Sequence, residues 1–74
     1  MKFPNKVNRY KTTTLFNMVE IITVLKSDML PTEIFAIVSK KMSALDFYEA
    51  LTALYAVGKI YYLNNGRIKN VGRN

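Results

Sequence analysis

The stretch SALDFYEALTALYAVGKIYYLNNGRIKNV, residues 43–71, decides how this chain folds. Phe47, Ala50, Leu51 and Leu54 recur at three- and four-residue steps, the period of one helix face. Ser43 followed by Asp46 has the form of a capping box, with Asp where Glu or Gln is usual. Gly58 follows the last periodic residue, where a left-handed residue with no side chain ends a helix at least cost. The spacing therefore predicts a helix from Ser43 to Val57. Beyond it, Lys59 to Leu63 is rich in strand formers, Asn64-Asn65-Gly66 tolerates positive φ, and Arg67 to Val71 supplies a second strand, so a hairpin follows directly.

Working outward from this stretch, Pro31 suits the first turn of a helix because its missing N–H has no partner to lose there. Glu33 sits well beside the positive helix start, and Ile34, Phe35, Val38 and Met42 form one stripe. This predicts a second helix over residues 31–41, with Lys40 and Lys41 in the closing turn. Before the Ser27-Asp28 break, Leu15, Met18, Val19, Ile22 and Leu25 share a helical period, and Thr12, Thr13 and Thr14 offer capping oxygens. A first helix is predicted from about Thr14 to Lys26. Its other flank carries Phe16, Ile21 and Val24, so the apolar arc is wider than one packing face requires. Residues 1–13, with Pro4, Asn5 and Asn8 and no period, read as an extended basic arm. The expected fold is mainly α (α+β) and winged-helix-like: an arm over residues 1–13, then a domain over 14–74 of three helices and a two-stranded wing.

Seventy-four residues suffice for one domain. A chain this short buries only about 60% of its unfolded surface, so its stability alone is marginal and a partner subunit fits the arithmetic. Histidine, cysteine and tryptophan are absent. There is accordingly no imidazole base, thiol nucleophile, disulfide framework or Cys/His metal site. Lys2 is followed by Phe3-Pro4-Asn5-Lys6 and not by an apolar run, so a secretory start is not expected and a reducing cytoplasm is. The longest uncharged stretch, Ala50 to Gly58, is nine residues, against about 20 for a membrane span.

Asp46 and Glu49, three apart on one helix, are the only carboxylate pair that acid–base chemistry would have to use, and a cap plus a surface acid explains them more simply. The glycines at 58, 66 and 72 are too dispersed for a phosphate loop. The expectation is a non-enzyme with no cofactor, metal or small-molecule substrate.

The net charge of +6 raises nucleic-acid binding, but the charge lies at the ends. Residues 43–57 hold no cation and no amide, only two acids, so a recognition helix there would be repelled by DNA. Lys59, Arg67, Lys69 and Arg73 at the wing are the candidates for salt-sensitive, sequence-independent phosphate contact; a solubilising surface explains them equally. Helix 3 carries more apolar surface than one face can bury. With Phe47, Ala50, Leu51 and Leu54 inward, Leu45, Tyr48 and Tyr55 are left for a protein interface, unless the core wraps further. Tyr61 and Tyr62 point to opposite sides of their strand, so at least one is exposed. In the arm, Phe3, Val7 and Tyr10 alternate with Lys2, Lys6, Arg9 and Lys11, which suits a segment that orders on a partner or else a disordered tail.

Phe3-Pro4-Asn5-Lys6, the Leu/Ile-rich first helix and the run from Phe47 to Ile60 resemble the small middle components of bacterial three-component ABC-ATPase systems over nearly the whole chain. The resemblance implies an anti-phage defence complex of the Lamassu kind, in which an SMC-like ABC ATPase senses foreign DNA and an effector, often a nuclease, does damage. It implies that a small winged-helix-like subunit sits with the ATPase as an adaptor. The expected partner-binding residues are Phe3, Pro4, Asn5, Lys6, Tyr10, Leu45, Tyr48 and Tyr55, with auxiliary DNA contact from the wing cations. The competing reading is a small winged-helix transcription regulator that binds DNA by itself.

Overall fold

The computed structural model describes the backbone of residues 3–72 and the side chains of residues 13–72. Three helices, α1 (Phe3–Val24), α2 (Pro31–Val38) and α3 (Ala44–Ala56), precede an antiparallel hairpin of β1 (Ile60–Tyr62) and β2 (Ile68–Asn70). This is the expected order of three helices and a two-stranded hairpin.

The ends of α3 follow from two residues. Ser43 is the N-cap, and its hydroxyl accepts the Asp46 amide at 3.1 Å. At the other end Gly58 adopts φ +78°, its amide donates to the Tyr55 carbonyl at 3.0 Å, and the Lys59 amide donates to the Leu54 carbonyl at 2.9 Å. Those two bonds make a Schellman motif, which satisfies carbonyls the helix leaves unpaired and turns the chain into β1. The hairpin register pairs Ile60 with Asn70, Tyr61 with Lys69 and Tyr62 with Ile68. Gly66 takes φ +85° at the tip, and the Asn65 side chain accepts the Arg67 amide at 3.0 Å.

α2 begins at Pro31, and the Glu33 carboxylate accepts the Leu30 amide at 2.8 Å, the acidic half of a capping box. The helix stops at Val38, three residues short of the expected end at 41, where the Lys41 amide closes a turn on the Val38 carbonyl at 2.8 Å. That turn drops Met42 into the core, in line with Ile34 and Val38 as the stripe required.

α1 departs most from expectation. Its backbone is helical from Phe3, so the segment read as an extended arm is not extended. Pro4 falls in the first turn, where proline costs a helix nothing, and no proline or glycine interrupts the chain from there to Val24. The side chains of Phe3, Pro4, Asn5, Lys6 and Tyr10 lie outside the described residues. The packed face of α1 also differs: Asn17, Ile21 and Leu25 are buried and Met18, Ile22 and Val24 half-buried, while Leu15, Phe16 and Val19 stay exposed. The packed stripe is therefore rotated by one flank from the expected one, with Ile21 at its centre and Leu15 and Val19 outside it. Buried Asn17 explains why the true stripe does not read as continuously apolar.

The core is one cluster in which Ile21 of α1 and Leu25 just beyond it meet Ile34 and Val38 of α2, Ala50, Leu51 and Leu54 of α3, and Ile60 and Ile68 of the hairpin. Two further ties hold the hairpin in place. Met29, between α1 and α2, exchanges backbone hydrogen bonds with Ile68 at 2.7 and 3.2 Å, and the Asn70 side-chain Nδ2 donates to the Leu25 carbonyl at 3.4 Å, just past the end of α1.

Candidate partner-binding surface

With Phe47, Ala50, Leu51 and Leu54 turned into the core, the outward side of α3 is fixed by helical geometry. Leu45, Tyr48, Thr52 and Tyr55 form a stripe there at steps of three, four and three. Leu45 is 65% exposed, Tyr48 66% and Tyr55 54%. The Thr52 hydroxyl donates to the Tyr48 carbonyl at 2.9 Å and so turns its polarity back onto the helix. The stripe is thus apolar and aromatic, although it faces water.

The hairpin extends it. Tyr62 leaves β1 beside α3, and its ring lies 5.0 Å from that of Tyr55, tilted by 46°. Burial against α3, followed by the phenols of Tyr48 and Tyr55, pushes the Tyr62 hydroxyl above the usual tyrosine range. Three tyrosines from two elements consequently make one patch that is held by packing yet half open to solvent. Sequence alternation left open which of Tyr61 and Tyr62 is exposed. Both are, and only Tyr62 joins the α3 face.

The hairpin cations are not brought together in the same way. The Arg67 guanidinium is engaged within the domain: Nη1 lies 3.2 Å from the Glu33 carboxylate and donates to the Asp28 carbonyl at 3.3 Å, fastening β2 to the start of α2. Lys69 is exposed opposite Tyr61, and Lys59 is exposed beside the end of α3. Arg73 lies outside the described residues. Residues 13–72 contain six cations and five acids, so their net charge is only one positive. The basic character of the chain resides in Lys2, Lys6, Arg9, Lys11 and Arg73. Between Ser43 and Val57, where a recognition helix would need donors, the acids Asp46 and Glu49 are the only charges.

Leu15, Phe16 and Val19 form a second exposed apolar group that the sequence reading did not single out. The signal for it was present: α1 has apolar residues on more of its circumference than one face can bury.

The chain matches the family model for ABC-three component (ABC-3C) system Middle Component 7 over residues 3–69. The protein belongs to this middle-component family. The match begins at the first residue of α1 and runs into β2, so it includes the helical segment ahead of Thr14 as well as the three-helix body. As a middle component it is one part of a multi-subunit defence system, with partners among the other components such as an ABC ATPase. No curated protein and no solved structure matches it. Among the described residues, no helix of the middle component is long and apolar enough to cross a membrane.

Proposed function

We propose that this middle component is a non-enzymatic adaptor of a Lamassu-like anti-phage complex: a winged-helix-type module that binds the SMC-like ABC ATPase and links it to an effector of nuclease type in the cytoplasm. The observation that carries the reading is the exposed stripe Leu45, Tyr48 and Tyr55, extended by Tyr62, on the helix that a DNA-reading module would keep basic. Aromatic anchors ringed by less critical contacts are what protein interfaces concentrate. The N-terminal segment, with Phe3, Pro4, Asn5, Lys6 and Tyr10, supplies the second contact. Absence of histidine and cysteine from the sequence removes the commonest catalytic groups and supports the non-enzymatic role. Lys59, Lys69 and Arg73 serve as an auxiliary, sequence-independent phosphate contact within the assembly, while Arg67 stays with Glu33.

The test is capture of the system's ABC ATPase by the tagged chain carrying Tyr48→Ala and Tyr55→Ala, beside a control carrying Lys40→Ala and Lys41→Ala. The tyrosine pair should abolish capture and the lysine pair should spare it. Equal effects would place the interface elsewhere. Tight, sequence-selective duplex binding by the chain alone would favour a transcription regulator instead.

A further inference from the structure

The hairpin tip carries the pair Asn65-Gly66, and no other asparagine in the sequence precedes a glycine. Glycine places no side chain beside its amide nitrogen, so that nitrogen can reach the side-chain carbonyl of the residue before it. Both residues are exposed. The loop that holds them is closed by two backbone bonds: the Gly66 amide donates to the Leu63 carbonyl at 3.0 Å, and the Leu63 amide to the Arg67 carbonyl at 2.8 Å. Among the described residues only glycines have positive φ, so Asn64 and Asn65 are the two centres of a type I turn and Gly66, at φ +85°, takes the left-handed place after it. The Asn65 side-chain oxygen accepts the Arg67 amide at 3.0 Å, which folds its carbonyl back over the loop that contains the Gly66 nitrogen.

Asn70 is an internal comparison. Its side-chain oxygen accepts the Gly72 amide at 3.0 Å, the same two-residue reach. The residue after it is the β-branched Val71, whose amide donates to the Lys59 carbonyl at 3.0 Å, and its own Nδ2 donates to the Leu25 carbonyl at 3.4 Å. Bulk and anchoring hold Asn70 where Asn65 is followed by an exposed glycine.

We propose that Asn65 is a site of spontaneous covalent modification, deamidation through a cyclic imide, and that the turn bond from Gly66 to Leu63 is its gate. A solvent base removes the Gly66 amide proton, and the nitrogen attacks Asn65 Cγ. The N–Cγ bond forms, the Cγ–Nδ2 bond breaks, and Nδ2 takes a proton from water and leaves as ammonia. Water then opens the ring. Attack at the side-chain carbonyl leaves aspartate on a normal main chain; attack at the main-chain carbonyl leaves isoaspartate, with one more methylene in the main chain. Either product adds a carboxylate to the hairpin that carries Lys59 and Lys69, and so opposes phosphate contact there. Ring closure requires the Gly66 nitrogen to swing toward the side chain about the Asn65 Cα–C bond, away from its place in the turn. The bond to Leu63 breaks first, so only the fraction of molecules with an open tip reacts. This chemistry needs no partner and does not depend on the adaptor role.

The experiment incubates the purified full chain for days at neutral and mildly alkaline pH, natively and in guanidinium chloride, and follows each asparagine by peptide-mapping mass spectrometry with aspartate and isoaspartate peptides separated. Asn65 should convert first, give both products, and convert faster as pH rises. The folded chain should convert at least about tenfold more slowly than the denatured one. Earlier conversion at Asn70 or any other asparagine, no conversion at Asn65 in guanidinium, or aspartate without isoaspartate would overturn the imide route. Equal rates in the folded and denatured chain would overturn the gate. Gly66→Ala gives a second measurement that folding does not confound when it is made in guanidinium. There it should slow conversion at Asn65 at least about tenfold, and an unchanged rate would contradict the part assigned to the glycine.

Discussion

Two residues three positions apart on α3 separate folding from binding. Leu51 is 6% exposed and belongs to the core cluster, whereas Tyr48, one turn earlier, is 66% exposed on the adjoining outward face of the same helix. Leu51→Ala removes buried methyl groups and leaves a cavity, at a cost of about 2–5 kcal/mol. A domain of this length holds only about 4–11 kcal/mol in total, so the loss is between a fifth of its stability and all of it. With a urea slope of about 1 kcal/mol per molar, the unfolding midpoint should fall by about 2 M or more, or the variant should not fold at all. Tyr48→Ala removes a ring that packs on little, and alanine's better helix propensity returns about 0.5 kcal/mol, so its midpoint should move by less than about 0.5 M. Circular dichroism through a urea series measures both. Capture of the ATPase should show the reverse ranking among folded variants, with Tyr48→Ala defective. A Tyr48→Ala variant as destabilised as Leu51→Ala would show that the stripe is held for folding, and the interface argument would fail.

Other consequences are smaller and equally specific. Glu33→Ala loses both the Leu30 amide bond and the partly exposed Arg67 pair and should cost about 1 kcal/mol, while Glu33→Gln keeps the amide bond and should cost less than about 0.5 kcal/mol in thermal melts. Gly58→Ala meets no atom within 4 Å, so its cost is that of the left-handed backbone alone, about 1–2 kcal/mol, with Gly58→Asn milder on the same measurement. Because the Tyr62 phenol is raised in the folded state, its contribution is whole below the unfolded value of about 10 and is lost as pH rises through the folded one. Absorbance titration should show the latest tyrosinate step disappear in Tyr62→Phe, and the variant should lose less stability than the native chain above that pH.

Punctuation made most of this fold legible. Ser43 and Gly58 mark α3 to the residue, Pro31 marks the start of α2, and Asn65-Gly66 marks the hairpin tip, since each residue type has a local backbone reason for its place. The core stripe of α3 and its exposed remainder, Leu45, Tyr48 and Tyr55, follow from spacing alone. What depends on neighbours distant in the chain could not be read this way. Arg67 looked like a free wing cation because its partners, Glu33 and the Asp28 carbonyl, lie 34 and 39 residues earlier. The rotation of α1 was hidden by Asn17, a polar residue on the packed face, and by Leu15 and Val19, apolar residues left outside. The start of α1 was set too late because a polar run after proline resembles a loop, although it can continue a helix already held by packing at its other end.

The adaptor role stands or falls on what the intact chain binds. Light scattering of the purified chain mixed with the purified ABC ATPase of its system, with and without duplex DNA, measures this without any substitution. The expected result is a complex of defined stoichiometry that forms in the absence of DNA and persists at physiological salt, while the chain alone shows no preferred DNA sequence. Two separate peaks in the absence of DNA, together with a selective complex between the chain and one duplex, would contradict it.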